Sequence, residues 1–549
     1  MPAKEYLNAL GHKVLPRILT QICRDPTSPL WGCCDRNWWH YKIRDFPSII
    51  LQQAGYAIAL STDALPDRCY SAELKALAAG TCQFWNQRAL RYGAFEEYYP
   101  CEQGYPPVAF STLAVAKLCN DGVIDLFEVR PGLEVAVQQL LSRFEMEAAN
   151  QQAAGTAALA VIRKIAPDLV PDATFSTLLD RTLGLQTDEG WFSEYDGPDL
   201  GYLSVTIDCL WDIFDATSDK RCYTAILKAF EYLSWFVLGP VGGAGIHNAR
   251  NTDYIVPYGI TRLACDPGDA GGRAQAVLAR LYGQNNDKYH FFDAVDDRYW
   301  CHYIGHSVFR AINILSTKDF PETISAERSV QTQTSMPESG HILVRGPVPS
   351  SPDVLMSMRK GGLFTALWPG GQRITDCGWI VLRGEKQYVS HWWSSTWKPY
   401  NQDNIVGCNG GFVLHREHVS TPWKHMALRV LSFFSGRRLS WLLKRLVIFK
   451  KKDETYTFCR RVRCEEDFII VEDQISGLAV EDKLYRAPRS SKRHVASADN
   501  FHPDDLKMSD GVLLREEFHK KNGGILVLTR YEVQEKNLEN SQSIKKSLE

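Results

Sequence analysis

The stretch from Gly190 to Thr206, GWFSEYDGPDLGYLSVT, concentrates reactive side chains in one short segment. Glu194, Asp196 and Asp199 supply carboxylates and Tyr195 and Tyr202 supply phenols, all close to the turn signal Gly197-Pro198. Leu203, Ile207, Leu210 and Trp211 then follow at helical spacing. A loop that empties into a helix mouth presents titratable groups in this way. The same residues admit a structural reading, in which Asp199 caps the helix and Tyr202 is an ordinary half-buried aromatic.

Two further clusters carry polar chemistry. His247, Asn248, Arg250, Asn251 and Tyr254 precede Pro257-Tyr258-Gly259. Arg is shaped to clamp a carboxylate with two hydrogen bonds, and His carries protons near neutral pH. Asn150 and Gln151 open an apolar helical pattern just after Glu145 and Glu147. There Asn serves either as a helix N-cap or as a donor to a substrate. Aromatic residues recur in the runs Trp38-Trp39-His40-Tyr41 and His391-Trp392-Trp393, the latter followed by Trp397. Adjacent aromatics cannot all face inward, so one side of each run is expected to line a groove, where a flat ring stacks on a sugar.

The elements that must position these groups fall into two kinds. From about Ile49 to about Leu315 the pattern is one of amphipathic helices joined by Gly, Pro and Asp turns: Ile49 to Leu60, Ser71 to Leu90, Leu133 to Phe144, Asn150 to Ile165, Tyr202 to Phe214, Tyr223 to Val237 and Arg273 to Leu281. Repeated helix pairs without a recognisable repeat signature predict an (α/α) toroid rather than a common solenoid. The pattern changes near Ser325. From His341 onward short runs rich in Val, Ile, Phe and Tyr, including Leu428 to Phe434 and Leu446 to Phe449, read as strands in series and predict an antiparallel β-sandwich. The expected domains are therefore a helical toroid over residues 1–325 and a sandwich over residues 326–549.

Composition narrows the function classes. The chain has 549 residues, too many for one core, and its 62 Lys and Arg nearly balance 64 Asp and Glu, so no global field favours nucleic acid or an anionic surface. Most of the basic run Arg437 to Arg463 reads as a solvated sheet face. The 15 Trp and 23 Tyr fit a carbohydrate or base platform. Fifteen Cys lack Cys-x-x-Cys pairing and read as reduced thiols. His302 and His306 stand four apart but lack the Glu of a zincin motif, so neither a metal nor another cofactor is expected. Gly239 to Gly245, GPVGGAG, has no Gly-Lys-Ser/Thr and is not a phosphate loop. No apolar segment reaches membrane-span length and no signal peptide pattern opens the chain, so the chain as written is expected in the cytoplasm, or in the periplasm or outside if a leader has been removed.

A helical toroid followed by β-structure, with the Asn150-Gln151 helix start, the EYDGPDLGY segment, the region His247 to Gly259 and Arg359-Lys360-Gly361-Gly362, resembles the heparinase II/III and alginate-lyase group of polysaccharide lyases. The resemblance implies β-elimination on an acidic, uronate-containing polysaccharide. By match, Asn150 neutralises the carboxylate, Tyr202 transfers protons, and His247 or His391 assists. Arg250 joins Asn150 on the carboxylate and helps to lower the pKa of Tyr202. Trp38, Trp39, His40, Gln151, Glu194, Tyr195, Asp199, Asn251, Tyr254, Trp392 and Trp393 are the expected substrate contacts. A uronate C5-epimerase and a non-catalytic glycan-binding or assembly protein remain open alternatives.

Overall fold

The structure is a computed structural model that describes residues 2–65, 70–91, 93–195, 197–237, 248–250, 252, 254–283, 290–293, 295–318, 332–336, 338–339, 341–348, 351–367, 373–391, 398–402, 405–415, 421–436, 438, 442, 455–465, 468–488, 511–519 and 523–532. The chain divides into two compact units. The first comprises Met1–Ser325, His418–Lys450 and Arg493–Phe501, and the second comprises Ala326–Glu417, Lys451–Lys492 and His502–Glu549.

The first unit is helical. Its helices are α1 (Pro2–Gln21), α2 (Arg36–Trp39), α3 (Ala54–Ala64), α4 (Ser71–Leu90), α5 (Tyr105–Asn120), α6 (Leu126–Leu141), α7 (Ala149–Ile165) and α8 (Asp172–Leu183). They continue as α9 (Leu200–Thr217), α10 (Lys220–Ser234), α11 (Tyr258–Leu263), α12 (Asp269–Tyr282), α13 (Asp297–Trp300), α14 (Tyr303–Thr317) and α15 (Pro422–Ser435). Among the described residues, α3, α5, α7, α9, α11 and α14 each pack on the next, and α14 packs back on α3 to close a ring. Outside it α4, α6, α8, α10 and α12 each pack on the inner helix that precedes them in sequence, and α1 packs on α14. The unit is an (α/α) toroid.

The sequence shows why the layers sort as they do. Inner helices are covered on all sides, so α5 and α7 bury nearly every position and use small residues for close approach. A Cβ at Gly155 in α7 would lie 2.3 Å from Tyr105 Oη on α5. Outer helices such as α10 and α12 bury one stripe, which includes Ile226, Phe230 and Leu233 on α10. Because each inner helix is followed by an outer one that returns, the inner helices run in parallel, and the loops that precede them gather at one end.

At the far end, side chains of the inner helices line a cavity of about 340 Å³ that includes Lys117, Asp212, Tyr258 and Arg310. Asp212 accepts from Arg310 Nη2 at 2.5 Å and from Lys117 Nζ. These groups tie α5, α9 and α14 together. Burial alone would raise the Asp212 pKa, but Arg310 and Lys117 outweigh it and hold the carboxyl below its ordinary value.

The second unit contains antiparallel sheets. Its strands are β1 (Thr332–Met336), β2 (His341–Val348), β3 (Ser351–Arg359), β4 (Leu363–Leu367), β5 (Arg373–Asp376), β6 (Trp379–Arg383), β7 (Lys386–Val389) and β8 (Lys398–Gln402). They continue as β9 (Ile405–Gly411), β10 (Val413–His415), β11 (Thr457–Glu465), β12 (Phe468–Ser476), β13 (Lys483–Arg486), β14 (Val512–His519) and β15 (Gly524–Glu532). Among the described residues they form sheets of order β1-β2-β3-β4-β5, β10-β7-β6-β13 and β14-β15-β12-β11-β9-β8. One buried cluster that includes Phe364, Trp379, Tyr388, Phe458, Val471 and Val527 draws on all of them.

One expectation changes here. Leu428 to Phe434 is not a strand but the second half of α15. In the basic run Arg461 and Arg463 point outward on β11, whereas Arg460 turns inward. Its guanidinium holds Asp473 through two contacts of 2.7 Å and Asp376 at 2.9 Å. Leu446 to Phe449 lies outside the described residues.

Candidate functional site

The loops at the N-terminal ends of the inner helices form the mouth of the ring. Four of the five described non-glycine residues with positive φ lie in these loops: Lys42 (55°), Cys101 (62°), Gln103 (49°) and Tyr195 (55°). Such backbone is costly for residues with a Cβ and persists where the surroundings hold it in place.

The loop Gly190 to Asp199 joins α7 to α9 by carboxylate caps. Asp199 is the N-cap of α9, as the structural reading has it: one oxygen accepts from Tyr202 N at 3.1 Å and the other from Arg250 N at 3.0 Å, and the Thr252 hydroxyl also donates to it. Replacing Asp199 by Ala is expected to cost at least the ~1–2 kcal/mol of a lost cap, and to release the 248–254 loop, read as a lower melting temperature by circular dichroism. Asn150 is not an N-cap, since Ala148 holds that position. Instead the Asn150 backbone N donates to Glu194 Oε1 at 2.7 Å, so Glu194 caps α7 from across the loop.

Tyr195 stands at the centre of this loop. The Arg250 guanidinium lies over its ring at 3.8 Å, and Gln151 Nε2 donates to its hydroxyl at 3.3 Å. Around it are buried polar atoms with no hydrogen-bond partner: Asn150 Oδ1, Gln151 Oε1, Glu194 Oε2 and Arg250 Nε and Nη1. Asn150, Glu194 and Arg250 are themselves buried. Native proteins seldom leave such atoms unpaired, and where several converge they mark a place built for a polar ligand.

Tyr202 lies deeper. Its ring meets Tyr254 edge-on at 6.5 Å, and the Tyr254 hydroxyl is 2.6 Å from that of Tyr303 at the start of α14. Burial pushes the Tyr202 pKa well above its ordinary value, with Tyr299 adding to the rise and Arg250 opposing it. A cationic neighbour is therefore present as expected, but burial wins and Tyr202 remains a neutral phenol.

The sequence reading missed the loop that leads into α5, FEEYYPCEQGYPP from Phe95 to Pro107. Its signal is the same as that of the first loop: carboxylates and tyrosines around Pro and Gly between two helices. Glu102 Oε2 accepts from the backbone N of Tyr98 at 2.8 Å and of Glu97 and Tyr99 at 3.3 Å, which folds the loop into a tight turn. Glu97 is half-buried beside it, and its pKa is pushed up to about 8, first by burial and then by the Glu102 carboxyl. Tyr98 keeps 59% of its surface exposed, yet Glu97, burial and the neighbouring Tyr299 and Tyr202 raise its pKa. The Glu97 carbonyl accepts from Arg44 Nη2 at 2.5 Å, and Arg44 pairs with buried Asp35 at 3.2 Å.

The remaining expected residues sort as follows. Trp38 and Trp39 form α2 and are half-buried: Trp38 packs on Phe84 at 5.9 Å and Trp39 Nε1 donates to the Gln21 carbonyl at 2.8 Å. His40 is exposed. His391 is buried in the second unit, where its carbonyl accepts from Arg359 at 2.9 Å. His247, Asn251, Trp392 and Trp393 lie outside the described residues. His302 stacks on Tyr299 at 4.8 Å, and burial pushes its pKa down to about 3, so it stays neutral. No cluster of metal-ligating side chains occurs among the described residues, and no described helix is long and apolar enough to cross a membrane.

No protein-family model matches the chain, and no curated protein matches it. Solved structures do. A wild-type glycosidase is similar at 12% identity and a TM-score of 0.37, with 57% of this chain and 97% of that chain covered. A glycosidase variant in complex with glucose matches with the same figures. The GH76A α-1,6-mannanase from Salegentibacter sp. HEL1_6 matches at 8% identity and a TM-score of 0.36, covering 56% of this chain and 98% of its own. Likeness this distant carries no reaction over to the chain. The expectation of a lyase is corrected: the matching structures are named as glycosidases and a mannanase, not as lyases, and they lend no support to a uronate substrate.

Proposed function

We propose that the mouth of the helical ring binds a glycan through its hydroxyl groups and hydrolyses a glycosidic bond, with Glu97 as general acid. One observation carries the reading: unpartnered buried atoms of Asn150, Gln151, Glu194 and Arg250 surround Tyr195, in a mouth where the loop before α5 holds a carboxyl with its pKa pushed up to about 8. Sugar hydroxyls both donate and accept, and so satisfy a set that mixes carbonyl and carboxyl oxygens with guanidinium N–H groups. A carboxylate ligand only accepts and would leave the oxygens unpaired, so the set does not call for an acidic sugar.

In this reading protonated Glu97 gives its proton to the glycosidic oxygen as the bond to the anomeric carbon breaks. Water adds to that carbon, and its proton passes to a second carboxyl. Glu194 does not take it: burial raises its pKa well above the ordinary carboxylate value and keeps it protonated, so it holds a sugar hydroxyl instead. Asp196 belongs to the same loop by sequence but lies outside the described residues. The sheets that share one buried core in the second unit are read as a sandwich.

A second reading, glycan binding without turnover, is favoured by the use of both Asp199 and Glu194 as helix caps. Incubation with a panel of neutral and acidic oligosaccharides, scored for new reducing ends and for binding by calorimetry, separates the two. The proposal expects cleavage of at least one member. Binding without cleavage supports the second reading, and neither on any member would remove both.

A further inference from the structure

Helix α15 is inverted. Along its length Trp423, Met426, Ala427, Val430, Leu431 and Phe434 recur at three- and four-residue spacing, the stripe by which a helix ordinarily packs on a core. Here that stripe faces solvent: Trp423 is 77% exposed, Phe434 80%, and Met426 and Val430 more than half. The helix is held by its polar side. Ser432, its one buried residue, donates to the Pro100 carbonyl at 2.8 Å, and Arg429 makes a two-pronged ion pair with Asp45, one contact being 3.1 Å. Both partners belong to loops at the mouth of the ring. An outward apolar stripe of this size on a water-soluble surface marks a contact surface.

Charge says what it contacts. The segment 421–452, TPWKHMALRVLSFFSGRRLSWLLKRLVIFKKK, holds nine Lys and Arg and no Asp or Glu, in a chain whose acids outnumber its bases overall. Local basic charge beside exposed Trp and Phe is the pattern of a helix lying in the headgroup region of an anionic bilayer. A protein partner would need an acidic, apolar groove to answer both features, whereas an anionic lipid surface answers them at once.

We propose that α15 is an interfacial anchor that lays its Trp423–Phe434 stripe into an anionic lipid surface, to which the excess of Lys and Arg in segment 421–452 draws it. The anchor is independent of the reaction assigned to the mouth, and it places that mouth beside the lipid surface.

The test is co-sedimentation of the full chain with vesicles of phosphatidylcholine containing about one third phosphatidylglycerol, against phosphatidylcholine alone. The anionic vesicles are expected to pellet the chain, less so as salt is raised. Trp423→Ser with Phe434→Ser should lower the partition by roughly tenfold or more, because two rings leave the interface, with the melting temperature unchanged because both are exposed. Absence of pelleting with anionic vesicles would overturn the proposal. So would equal pelleting by both vesicle types with no effect of the variant, or a wild-type dimer that the variant dissolves, which would assign the stripe to a second copy of the chain.

Discussion

Glu97→Gln is expected to lower the rate of glycan hydrolysis by roughly 10²–10⁴-fold while leaving binding within a few-fold, because Gln keeps the shape and loses the proton. The pH dependence has a definite sign. With its pKa raised to about 8, Glu97 is protonated across neutral pH, so the rate should fall as pH rises through 8. Folding stability shares that origin. The folded state holds the Glu97 proton more tightly than the unfolded chain does, so between about 4.5 and 8 this group makes the protein less stable as pH rises. Glu97→Gln removes that loss and should therefore raise stability at pH 8 while abolishing turnover. Gain of stability with loss of activity is the mark of a group placed for chemistry, and a Gln variant that keeps full activity would remove Glu97 from the mechanism.

The second large effect is structural. Asp212→Ala is expected to destabilise the helical unit by about 3–5 kcal/mol, measured by chemical denaturation, because it leaves Lys117 and Arg310 as buried cations without their shared carboxylate. Asp212 is nearly inaccessible, and its partners come from α5 and α14, so the loss falls where three inner helices meet. The depressed Asp212 pKa adds a pH signature: its contribution is present above about pH 4 and is lost as the carboxyl protonates below that. A loss under about 1 kcal/mol would mean that the cluster is solvated and that packing alone closes the ring.

Much of the helical layer was legible because its periodicity is strong and its turns carry Gly, Pro and Asp. Ser71 to Leu90 is α4 to the residue, and the helices read from Asn150 and Tyr202 differ from α7 and α9 by a few residues at their ends. The closure of the ring was not legible. It depends on α14 packing back on α3, some 250 residues earlier in the chain, and the outer layer is completed by α1, which precedes the region read as helical. The run Leu428 to Phe434 looked like a strand because a short apolar segment has no period of its own, and only the turn that begins at Pro422 reveals the helix.

At the site, residue types singled out the Tyr195 loop and Arg250, but Arg250 was expected beside Tyr202 and a substrate carboxylate, whereas its guanidinium lies over the Tyr195 ring. Local sequence did not reveal which groups hold a proton. Tyr202 and Glu97 owe their shifted pKa values mainly to burial, which arises from tertiary packing. Asp199 looked reactive in sequence and is engaged by Tyr202, Arg250 and Thr252 as a cap.

The most direct test of the account needs no substrate: the Glu97 carboxyl titrated in the folded protein by isotope-edited infrared or carbon resonance, with Glu97→Gln used to assign the signal. A midpoint near 8 is the result expected. A midpoint in the ordinary carboxylate range, about 4 to 5, would show Glu97 ionised at neutral pH and would contradict its role as the acid at the mouth of the ring.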